Sequence, residues 1–306
     1  MRDSFIQSLI SIAKKDKDLV LLTADLGFVI FDEFESMFPG QYFNVGVAEQ
    51  NLTSIASGLA LEGKKVFTYS LGNFPTLRCL EQIRNDACYH NLNVNIVASG
   101  GGFSYGQLGM SHHATEDISI MRALPNVTVV VPSNPWEAEQ ATQELYKSEG
   151  VGYLRLDKTN GVQKNLDSIF KIGKSISIQN GDDVCFIVCG GIINEVINSA
   201  KSLKEAGVSS EIISMHTIKP LDEKILAKVS KKYKLVVSVE EGNVLGGLGS
   251  AISEFCMESG HIPQKFMKIG LKDTYSSIVG DQAYLRSKYQ MDANYITEAI
   301  LRKLSI

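Results

Sequence analysis

The sequence has few of the features that mark a secreted, membrane-bound or disulfide-rich protein. It contains five cysteines among 306 residues, an odd number without a Cys-x-x-Cys pair. Most of them lie in apolar runs, which predicts reduced cysteines in a protein core. No apolar run approaches the roughly 20 residues that cross a bilayer, and the N-terminal segment lacks the unbroken apolar centre of a signal peptide. We therefore expect a cytoplasmic protein without membrane contact.

A concentration of positive charge is also missing. The chain has 30 Lys and Arg against 34 Asp and Glu, a formal net charge of -4. Because the basic residues are scattered rather than gathered into a stripe, nucleic acid is not an expected partner. The hydrophobic content of 44% is ordinary for a soluble globular protein. The length exceeds what one core usually needs, so two domains are expected.

What is present is an alternation of short apolar runs with amphipathic stretches. In the first half, strands are predicted at Leu19–Ala24, Tyr42–Val47, 64–70 and 93–99. Helices between such strands predict a parallel sheet covered on both faces. The pattern holds over residues 1–160, breaks over 161–178, a predicted linker, and resumes over 179–306. The expected fold class is therefore α/β, with two doubly wound, mainly parallel-sheet domains.

Polar residues follow several of the predicted strands, where open α/β sheets bind ligands. These candidates are Asp25, Glu49, the Ser70–Phe74 segment, the Gly100–Gly109 loop and Lys158. Glu49 also has a structural explanation, since a carboxylate in a first helical turn gains ~0.3–1 kcal/mol from the helix dipole. Asp25 has one too, as the cap of a helix or turn.

Two further motifs are ambiguous when taken alone. No Asp, Glu or Cys at ligand spacing joins the adjacent His112 and His113, so no metal site is predicted, and the pair either precedes a helix or points into a cleft. The segment Gly246–Ser250 opens a helix after a strand but lacks the full G-x-G-x-x-G pattern. Close packing of strand against helix is therefore the expected reason for its glycines.

Five strings of the chain resemble one known family in collinear order. They are FNVGVAEQN, TYSLGNFPTLRCLEQIRND, GMSHHATEDISIMRALPNVTVVVPSN, TIKPLD and VEEGNVLGGLGSAI. Together they resemble the pyrimidine-binding and C-terminal domains of transketolases and deoxyxylulose-phosphate synthases, which use thiamine diphosphate. The resemblance implies a pyrimidine-binding domain over residues 1–160 and a transketolase C-terminal domain over 179–306.

The resemblance also implies which residues bind the cofactor. Glu49 matches the glutamate that hydrogen-bonds the aminopyrimidine ring and drives it towards its imino form. Phe74 matches an aromatic residue that packs on this ring, and Leu71 stands where many relatives have another Phe. Arg78, in the same string, is included among the cofactor-binding residues. Asp25 matches an acid near the thiazolium ring.

Substrate contacts follow from the same resemblance. His112 matches a histidine that transfers protons to and from the substrate hydroxyl, and His113 replaces a glutamine beside it. Arg2 matches one phosphate-binding arginine, and Lys158 replaces a second, which keeps the charge but loses the bidentate geometry. Gly100 and Val29 replace a histidine and a serine that hold the sugar phosphate in relatives, and Leu108 replaces an acid that binds a sugar hydroxyl. The expected substrate is therefore a modified, deoxy or larger activated sugar rather than a simple pentose phosphate.

The pattern that binds Mg²⁺ and diphosphate in this family, G-D-G followed by Asn, has no counterpart. Gly181-Asp182-Asp183 and Gly280-Asp281-Gln282 do not open a matching segment. In full-length relatives that domain precedes the part found here. The expected partner is therefore a separate N-terminal, diphosphate-binding subunit that holds most of the Mg²⁺ contacts, in an α2β2 heterotetramer. The expected activity is transfer of a two-carbon ketol unit from a ketose to an aldose.

Two other functions stay open from the sequence. The beta subunit of a 2-oxo acid dehydrogenase shares both domains and a similar glutamate string. A non-catalytic nucleotide-binding or regulatory module is permitted by Gly246–Ser250 and by the missing metal motif. The Ser-His-His-x-x-Glu-Asp string favours a transketolase over the first alternative, and Glu49, Phe74 and His112 favour catalysis over the second.

Overall fold

Two β-sheets organise the chain. The computed structural model describes residues 1–27, 29–159 and 169–305. The first sheet has seven strands in the order β10-β5-β6-β4-β3-β1-β2, all parallel except β10. Its strands are β1 (Leu19–Thr23), β2 (Tyr42–Asn44), β3 (Lys65–Leu71), β4 (Val94–Ser99), β5 (Val127–Val130), β6 (Val151–Leu156) and β10 (Thr217–Lys219).

The second sheet has five strands in the order β12-β11-β8-β9-β7, and only the edge strand β7 is antiparallel to its neighbour. Its strands are β7 (Ile176–Gln179), β8 (Val184–Val188), β9 (Ser210–Ser214), β11 (Leu235–Asn243) and β12 (Phe266–Leu271). The two mainly parallel sheets confirm the predicted α/β class.

Helices connect most of the strands. They are α1 (Arg2–Ala13), α2 (Asp32–Met37), α3 (Glu49–Leu61), α4 (Leu80–Gln82), α5 (Asp117–Ala123), α6 (Pro135–Lys147), α7 (Ile193–Glu205), α8 (Glu223–Lys232), α9 (Leu248–Ser259), α10 (Gln282–Lys288) and α11 (Ala293–Leu304). A π-helical segment, Ile83–Cys88, continues α4. Within the described residues, no helix combines the length and the apolar character needed to cross a bilayer.

Side-chain alternation along the strands explains why helices cover both faces of the first sheet. In β1, Val20 and Leu22 pack into one hydrophobic cluster with residues of α3, whereas Leu19 and Leu21 pack into another with residues of α1 and α6. Successive strand residues point to opposite faces, so a fully apolar strand must be covered twice. All five cysteines are free and buried, as predicted.

Several elements differ from the sequence prediction. β2 ends at Asn44 rather than Val47, because the chain turns at Gly46, which has a φ of +76°. Between β3 and β4, where the pattern predicts a helix, the chain forms a short α-helical turn followed by the π-helical segment. β10 and the two C-terminal helices α10 and α11 were not predicted. β10 comes from the second half of the chain, yet it pairs with β5 of the first sheet.

The predicted domain limits fall in a region that the structure describes only in part. Residues 161–168 of the predicted linker lie outside the described residues. Within the remainder, Phe170 is buried and β7 begins at Ile176. The division into 1–160, 161–178 and 179–306 stays a prediction.

Candidate active site

The carboxyl ends of five neighbouring strands form one edge of the first sheet. In the strand order β6-β4-β3-β1-β2, these ends lead to Lys158, Gly100, Leu71, Asp25 and the helix that begins at Glu49. Because the strands are parallel, residues far apart in sequence meet along this edge. The edge therefore gathers the candidates that the sequence placed after separate strands.

Glu49 is the first residue of α3 and is nearly inaccessible to solvent. It follows the turn at Gly46, and its side chain is 3% exposed. A carboxylate at this position faces the positive end of the helix dipole. Arg78 Nη1 donates a hydrogen bond to Glu49 Oε2 at 2.8 Å, and the Arg78 side chain is 48% exposed. The buried carboxylate of Glu49 is thus paired with an arginine whose side chain is half-exposed to solvent.

Phe74 joins this ion pair to His112. The Arg78 guanidinium carbon lies 4.7 Å from the centroid of the Phe74 ring. The Phe74 ring also contacts the His112 ring edge-on, with 5.2 Å between ring centroids. The structure therefore brings Glu49, Arg78, Phe74 and His112 into one continuous group.

The turn after β3 is tied directly to the segment that carries His112. Asn73 Nδ2 donates to the backbone carbonyl of His113 at 2.9 Å and lies 3.4 Å from that of Ser111. His112 itself is half-buried, and its Nδ1 lies 3.0 Å from the Ser111 hydroxyl. Asn73 lies in the candidate Ser70–Phe74 segment, but no role was predicted for this residue.

These residues fit an aminopyrimidine ring. The ring needs an acid shielded from water, which Glu49 supplies, and an aromatic side chain to pack on, which Phe74 supplies. Leu71, the last residue of β3, is half-buried at the start of the same turn, with its carbonyl accepting a hydrogen bond from the Phe74 N–H at 2.8 Å. The sequence spaced Leu71 and Phe74 by one helical turn, but the segment between them is a non-helical turn.

Asp25 lies further along the edge, after β1. It has a φ of +54°, and its backbone N–H donates to Asn44 Oδ1 at 2.9 Å while Asn44 Nδ2 donates to Asp25 Oδ1 at 3.2 Å. This exchange fixes the Asp25 carboxylate on the neighbouring strand end. No contact with Glu49 or Phe74 is formed within the described part of the chain, so its role towards a cofactor stays a prediction.

His113 differs from its neighbour in every contact. It is 1% exposed, its Nε2 lies 3.0 Å from the Gly106 carbonyl, and its Nδ1 lies 2.6 Å from the Ser276 hydroxyl. Both ring nitrogens therefore bind groups of the same chain. These contacts favour a structural role over the substrate contact that the resemblance implied.

A second part of the edge is a cationic cleft. Arg2, Ser99, Tyr105 and Lys158 line a cavity of about 450 Å³ together with two acids, Asp3 and Asp157, of which Asp3 lies 3.3 Å from Arg2 Nε. Lys158 Nζ lies 4.0 Å over the Tyr105 ring, and burial together with the charge of Arg2 lowers the pKa of Lys158. A lowered lysine pKa beside a second cation indicates a site that an anion would stabilise. The structure thus places Arg2 and Lys158 in one cleft, and their binding of a substrate stays a prediction.

Tyr105 belongs to the candidate Gly100–Gly109 loop, but no role was predicted for the tyrosine itself. A Cβ atom at Gly100 would overlap the Tyr105 ring, so glycine at position 100 is what admits the tyrosine. Val29 and Leu108, the other two positions that differ from the family's substrate-binding residues, face solvent and are 82% and 56% exposed. The ring therefore occupies space that a histidine at position 100 would need.

The glycines of Gly246–Ser250 are explained by close packing, as predicted. A Cβ at Gly249 would lie 2.5 Å from Ser238 Oγ, and one at Gly247 would overlap the Glu240 carboxylate. Glu240 accepts hydrogen bonds from the backbone N–H groups of Leu248 and Gly249 at 2.8 and 2.9 Å. Burial raises the pKa of Glu240 to about 7. This segment binds a carboxylate of its own chain.

No group of three or more His, Cys, Asp or Glu side chains within the described ranges could hold a metal ion. The two motifs that share Gly and Asp with the family's metal pattern have other places in the fold. Asp182 lies in the turn before β8, and Asp281 caps α10 by accepting from the Tyr284 N–H at 2.8 Å.

Comparison with known protein families identifies the family of this chain. The family "Transketolase, pyrimidine binding domain" matches residues 1–163, and "Transketolase, C-terminal domain" matches residues 173–296. The chain belongs to the transketolase family. This membership confirms the resemblance that the five strings carried.

Relatives of this transketolase-family chain span nearly its whole length. A protein of Methanocaldococcus jannaschii named as a transketolase C-terminal section is 37% identical, with 99% of this chain and 96% of that protein covered. The 6-deoxy-6-sulfo-D-fructose transketolase subunit SqwH of a Clostridium species is 33% identical, with 98% and 92% covered. One of the apulose-4-phosphate transketolase subunits of Actinobacillus succinogenes is also 33% identical, with 97% and 96% covered.

A solved structure agrees with the fold of the transketolase-family chain. It is described as a split gene transketolase, an inactive beta4 tetramer, and superposes with a TM-score of 0.87 at 32% identity over 99% of this chain and 97% of that one. A transketolase of Campylobacter jejuni, at 18% identity and a TM-score of 0.82, shares the fold over 46% of its own length. The chain thus covers less than half of that longer transketolase.

Proposed function

We propose that this chain is the C-terminal subunit of a split transketolase that transfers a two-carbon ketol unit from a ketose to an aldose. The observation that carries the proposal is the continuous group of Glu49, Arg78, Phe74 and His112 at one sheet edge. A buried carboxyl, an aromatic face and a histidine are the groups that this chemistry needs from the pyrimidine-binding side. Family membership and the names of the relatives support the same reading.

The cofactor of this reaction is thiamine diphosphate, which when bound supplies a nucleophilic carbon to the substrate carbonyl. Glu49 would hold the hydrogen bond at the pyrimidine nitrogen N1′, and its 3% exposure keeps water from competing for that position. Phe74 would pack against the ring. Arg78 would balance the charge of Glu49 from the solvent side.

His112 is the group we assign to proton transfer at the substrate hydroxyl. Its Nδ1 is engaged by the Ser111 hydroxyl, which fixes the ring orientation and directs Nε2 to the substrate. The edge-on contact with Phe74 holds the same ring from a second side. A histidine held at two points needs no rearrangement when the substrate binds.

The cationic cleft is where we place the charged end of the substrate. Arg2 and Lys158 would bind a terminal phosphate or sulfonate, with Tyr105 as one wall. Since Lys158 lacks the planar fork of arginine and Tyr105 fills the space beside Gly100, the cleft is not shaped as a sugar-phosphate site with two arginines and a histidine. Relatives named for 6-deoxy-6-sulfo-D-fructose and apulose 4-phosphate support a modified sugar.

Exposed apolar side chains beside the candidate residues support a partner subunit. Val47 is 74% exposed two positions before Glu49, Leu77 is 43% exposed next to Arg78, and Met110 is 56% exposed two positions before His112. Apolar side chains around a polar site are typical of an interface. The partner would be the N-terminal subunit that binds the diphosphate and Mg²⁺, in an α2β2 assembly within the cytoplasm.

Mixing the chain with its candidate partner tests the proposal. Activity with a ketose donor and an aldose acceptor, and Mg²⁺-dependent cofactor binding, are expected from the mixture and not from the chain alone. Decarboxylation of a 2-oxo acid by the mixture, without ketol transfer, would instead establish a 2-oxo acid dehydrogenase. Tight cofactor binding by the chain alone would contradict the division between two subunits.

A further inference from the structure

The loop of residues 100–114, which carries His112, is held by the second half of the chain. It leaves the first sheet after β4 and returns through an isolated bridge between Gly102 and Ala114. Within it, the Phe103 side chain is fully buried in the hydrophobic cluster of the second sheet, and its ring stacks on Tyr289 at 5.4 Å between centroids. A loop of the first sheet thus shares the core of the second.

Glu241, near the end of β11, binds this loop through its side chain. The Phe103 N–H donates to Glu241 Oε1 at 2.6 Å, and a Cβ at Gly102 would lie 2.5 Å from the same oxygen. Glu241 is 2% exposed. Glycine at position 102 is therefore what lets the carboxylate approach the loop backbone so closely.

The Glu241 carboxylate is itself fixed from the other side. Arg286 Nε donates to Oε2 at 2.5 Å, and Gln282 Nε2 donates to Oε1 at 2.8 Å. The backbone carbonyl of Glu241 accepts a hydrogen bond at 2.7 Å from Arg155, whose side chain is 1% exposed. A buried carboxylate with both oxygens bound in this way has one orientation.

A second anchor fixes the loop next to His112. The Ser276 hydroxyl binds His113 Nδ1 at 2.6 Å, and the Gly106 carbonyl binds both His113 Nε2 and the Gly280 N–H, at 3.0 and 3.3 Å. Ser276 and Gly280 both belong to the second half of the chain. The residue after His112 is therefore locked by the second half, while His112 itself stays half-exposed against Phe74.

We infer that Glu241 is a positioning residue, through which the second half of the chain holds the His112 loop in the conformation that places His112 against Phe74. This assigns the C-terminal half a role in the chemistry without any contact to substrate. The part that concerns His112 as a proton-transfer group rests on the proposed function. The part that concerns loop order does not.

Amide hydrogen exchange on the full chain, without partner or cofactor, tests the loop order. Glu241→Gln is expected to raise exchange in peptides that cover residues 100–114 roughly tenfold or more, while peptides of β4 and β6 keep their protection. Glu258→Gln, an exposed glutamate near the end of α9, is the matched control and should change neither set. Unchanged protection of residues 100–114 in a folded Glu241→Gln variant overturns the inference.

Ser276→Ala provides a second variant that leaves the Glu241–Arg286 pair intact. It is expected to raise exchange in peptides of residues 106–114, because His113 loses the hydroxyl that binds its Nδ1. If Glu241→Gln does not fold, Gln282→Leu, which removes one donor to the Glu241 carboxylate, decides for Glu241: raised exchange over residues 100–114 supports the proposal, and unchanged exchange refutes it.

Kinetics of the assembled enzyme test the consequence for chemistry. Glu241→Gln is expected to lower kcat roughly tenfold or more, because His112 is no longer held against Phe74, whereas KM rises by a smaller factor through Tyr105, the cleft wall that belongs to the same loop. An unchanged kcat, or a rise in KM as large as the fall in kcat, would contradict a positioning role for Glu241. If the wild-type mixture shows no ketol transfer, the proposed function fails, and the exchange result still decides the loop assignment.

Discussion

The carboxylate of Glu49 is buried, yet its hydrogen-bond partner Arg78 is not. The two side chains are 3% and 48% exposed and meet at 2.8 Å. A buried carboxylate needs a compensating donor, whereas an arginine at the surface is solvated with or without its partner. The pair is therefore asymmetric, and the two single substitutions should have different effects.

Replacing Arg78 is the first test of this asymmetry. Arg78→Met should lower the free energy of unfolding by about 1 kcal/mol, because Glu49 loses a charged hydrogen bond. The loss stays small because the arginine is half-exposed, and water can hydrate the Glu49 carboxylate from the space that its guanidinium leaves. Urea unfolding of the isolated chain measures it. Arg302→Met, in an exposed pair with Glu298 at 3.9 Å, is the control and should change stability by less than about 0.5 kcal/mol.

A double-mutant cycle separates the pair from its surroundings. Arg78→Met should cost less in a Glu49→Gln background than in the wild type, because the uncompensated charge has gone. Equal costs in the two backgrounds would show that the 2.8 Å contact does not couple the residues.

Glu49→Gln tests catalysis rather than stability. In the mixture with the partner, kcat should fall by about 10²-fold or more, because an amide cannot exchange a proton with the pyrimidine nitrogen. Assembly, followed by analytical ultracentrifugation, should be retained. Glu62→Gln, at the exposed end of the same helix, should leave both unchanged. Wild-type activity of Glu49→Gln would favour a non-catalytic module.

The sequence predicted the elements whose signal is local. β1, β3 and β4 are short runs rich in apolar and β-branched residues, so their limits fall within one residue of the prediction. β10 could not be predicted, because its pairing with β5 joins residues almost 90 positions apart. The π-helical segment after α4 likewise has no signal in the hydrophobic pattern.

Site residues that directly follow strands could be predicted from the sequence, whereas those whose position depends on loop conformation could not. Parallel strands bring Glu49 and Phe74 to one edge, so the order of the chain sufficed to group them. The contrast between His112 and His113 depends on Ser276, which lies 163 residues further along. Tyr105 lies in the predicted Gly100–Gly109 loop, but its role could not be predicted, because only the structure shows that its ring fills the space above Gly100.

Substitution of Lys158 tests the cationic cleft. Lys158→Met should lower kcat/KM roughly tenfold for a substrate with a terminal anion, with a loss that shrinks as salt is added. Lys158→Arg should retain most of the activity. The exposed Lys201→Met variant serves as the control. An equal loss on an uncharged sugar of the same length would show that Lys158 does not bind the charged end.

Buried titratable groups determine how the stability of the fold depends on pH. In this chain a buried histidine and two buried carboxyl groups have opposite effects on stability as pH changes. Burial lowers the pKa of His216 from 6.5 to about 3, against the opposing charge of Asp222. Unfolded chains take up a proton at this histidine below pH 6.5 and the folded chain does not, so stability is lost as pH falls from 6.5 towards 3. Burial raises the pKa of Glu137 and Glu240 from 4.5 to about 7, so their contribution falls as pH rises across that window.

A His216→Asn variant isolates the histidine from these carboxyl groups. His216 is fully buried, stacks on Phe170 at 4.0 Å, and binds Thr217 Oγ1 at 2.9 Å through Nδ1, an atom that the Asn side chain can replace. At pH 7.5 the variant should be less stable than the wild type, because packing on Phe170 is lost. Below pH 6.5 the difference should narrow by about 1.4 kcal/mol per pH unit, as only the wild type has a histidine to protonate on unfolding. Urea unfolding between pH 5 and 7.5 measures this difference in stability, and the variant of an exposed histidine, His90→Asn, is the control. A difference that stays constant with pH would mean that His216 is already charged or accessible in the folded chain.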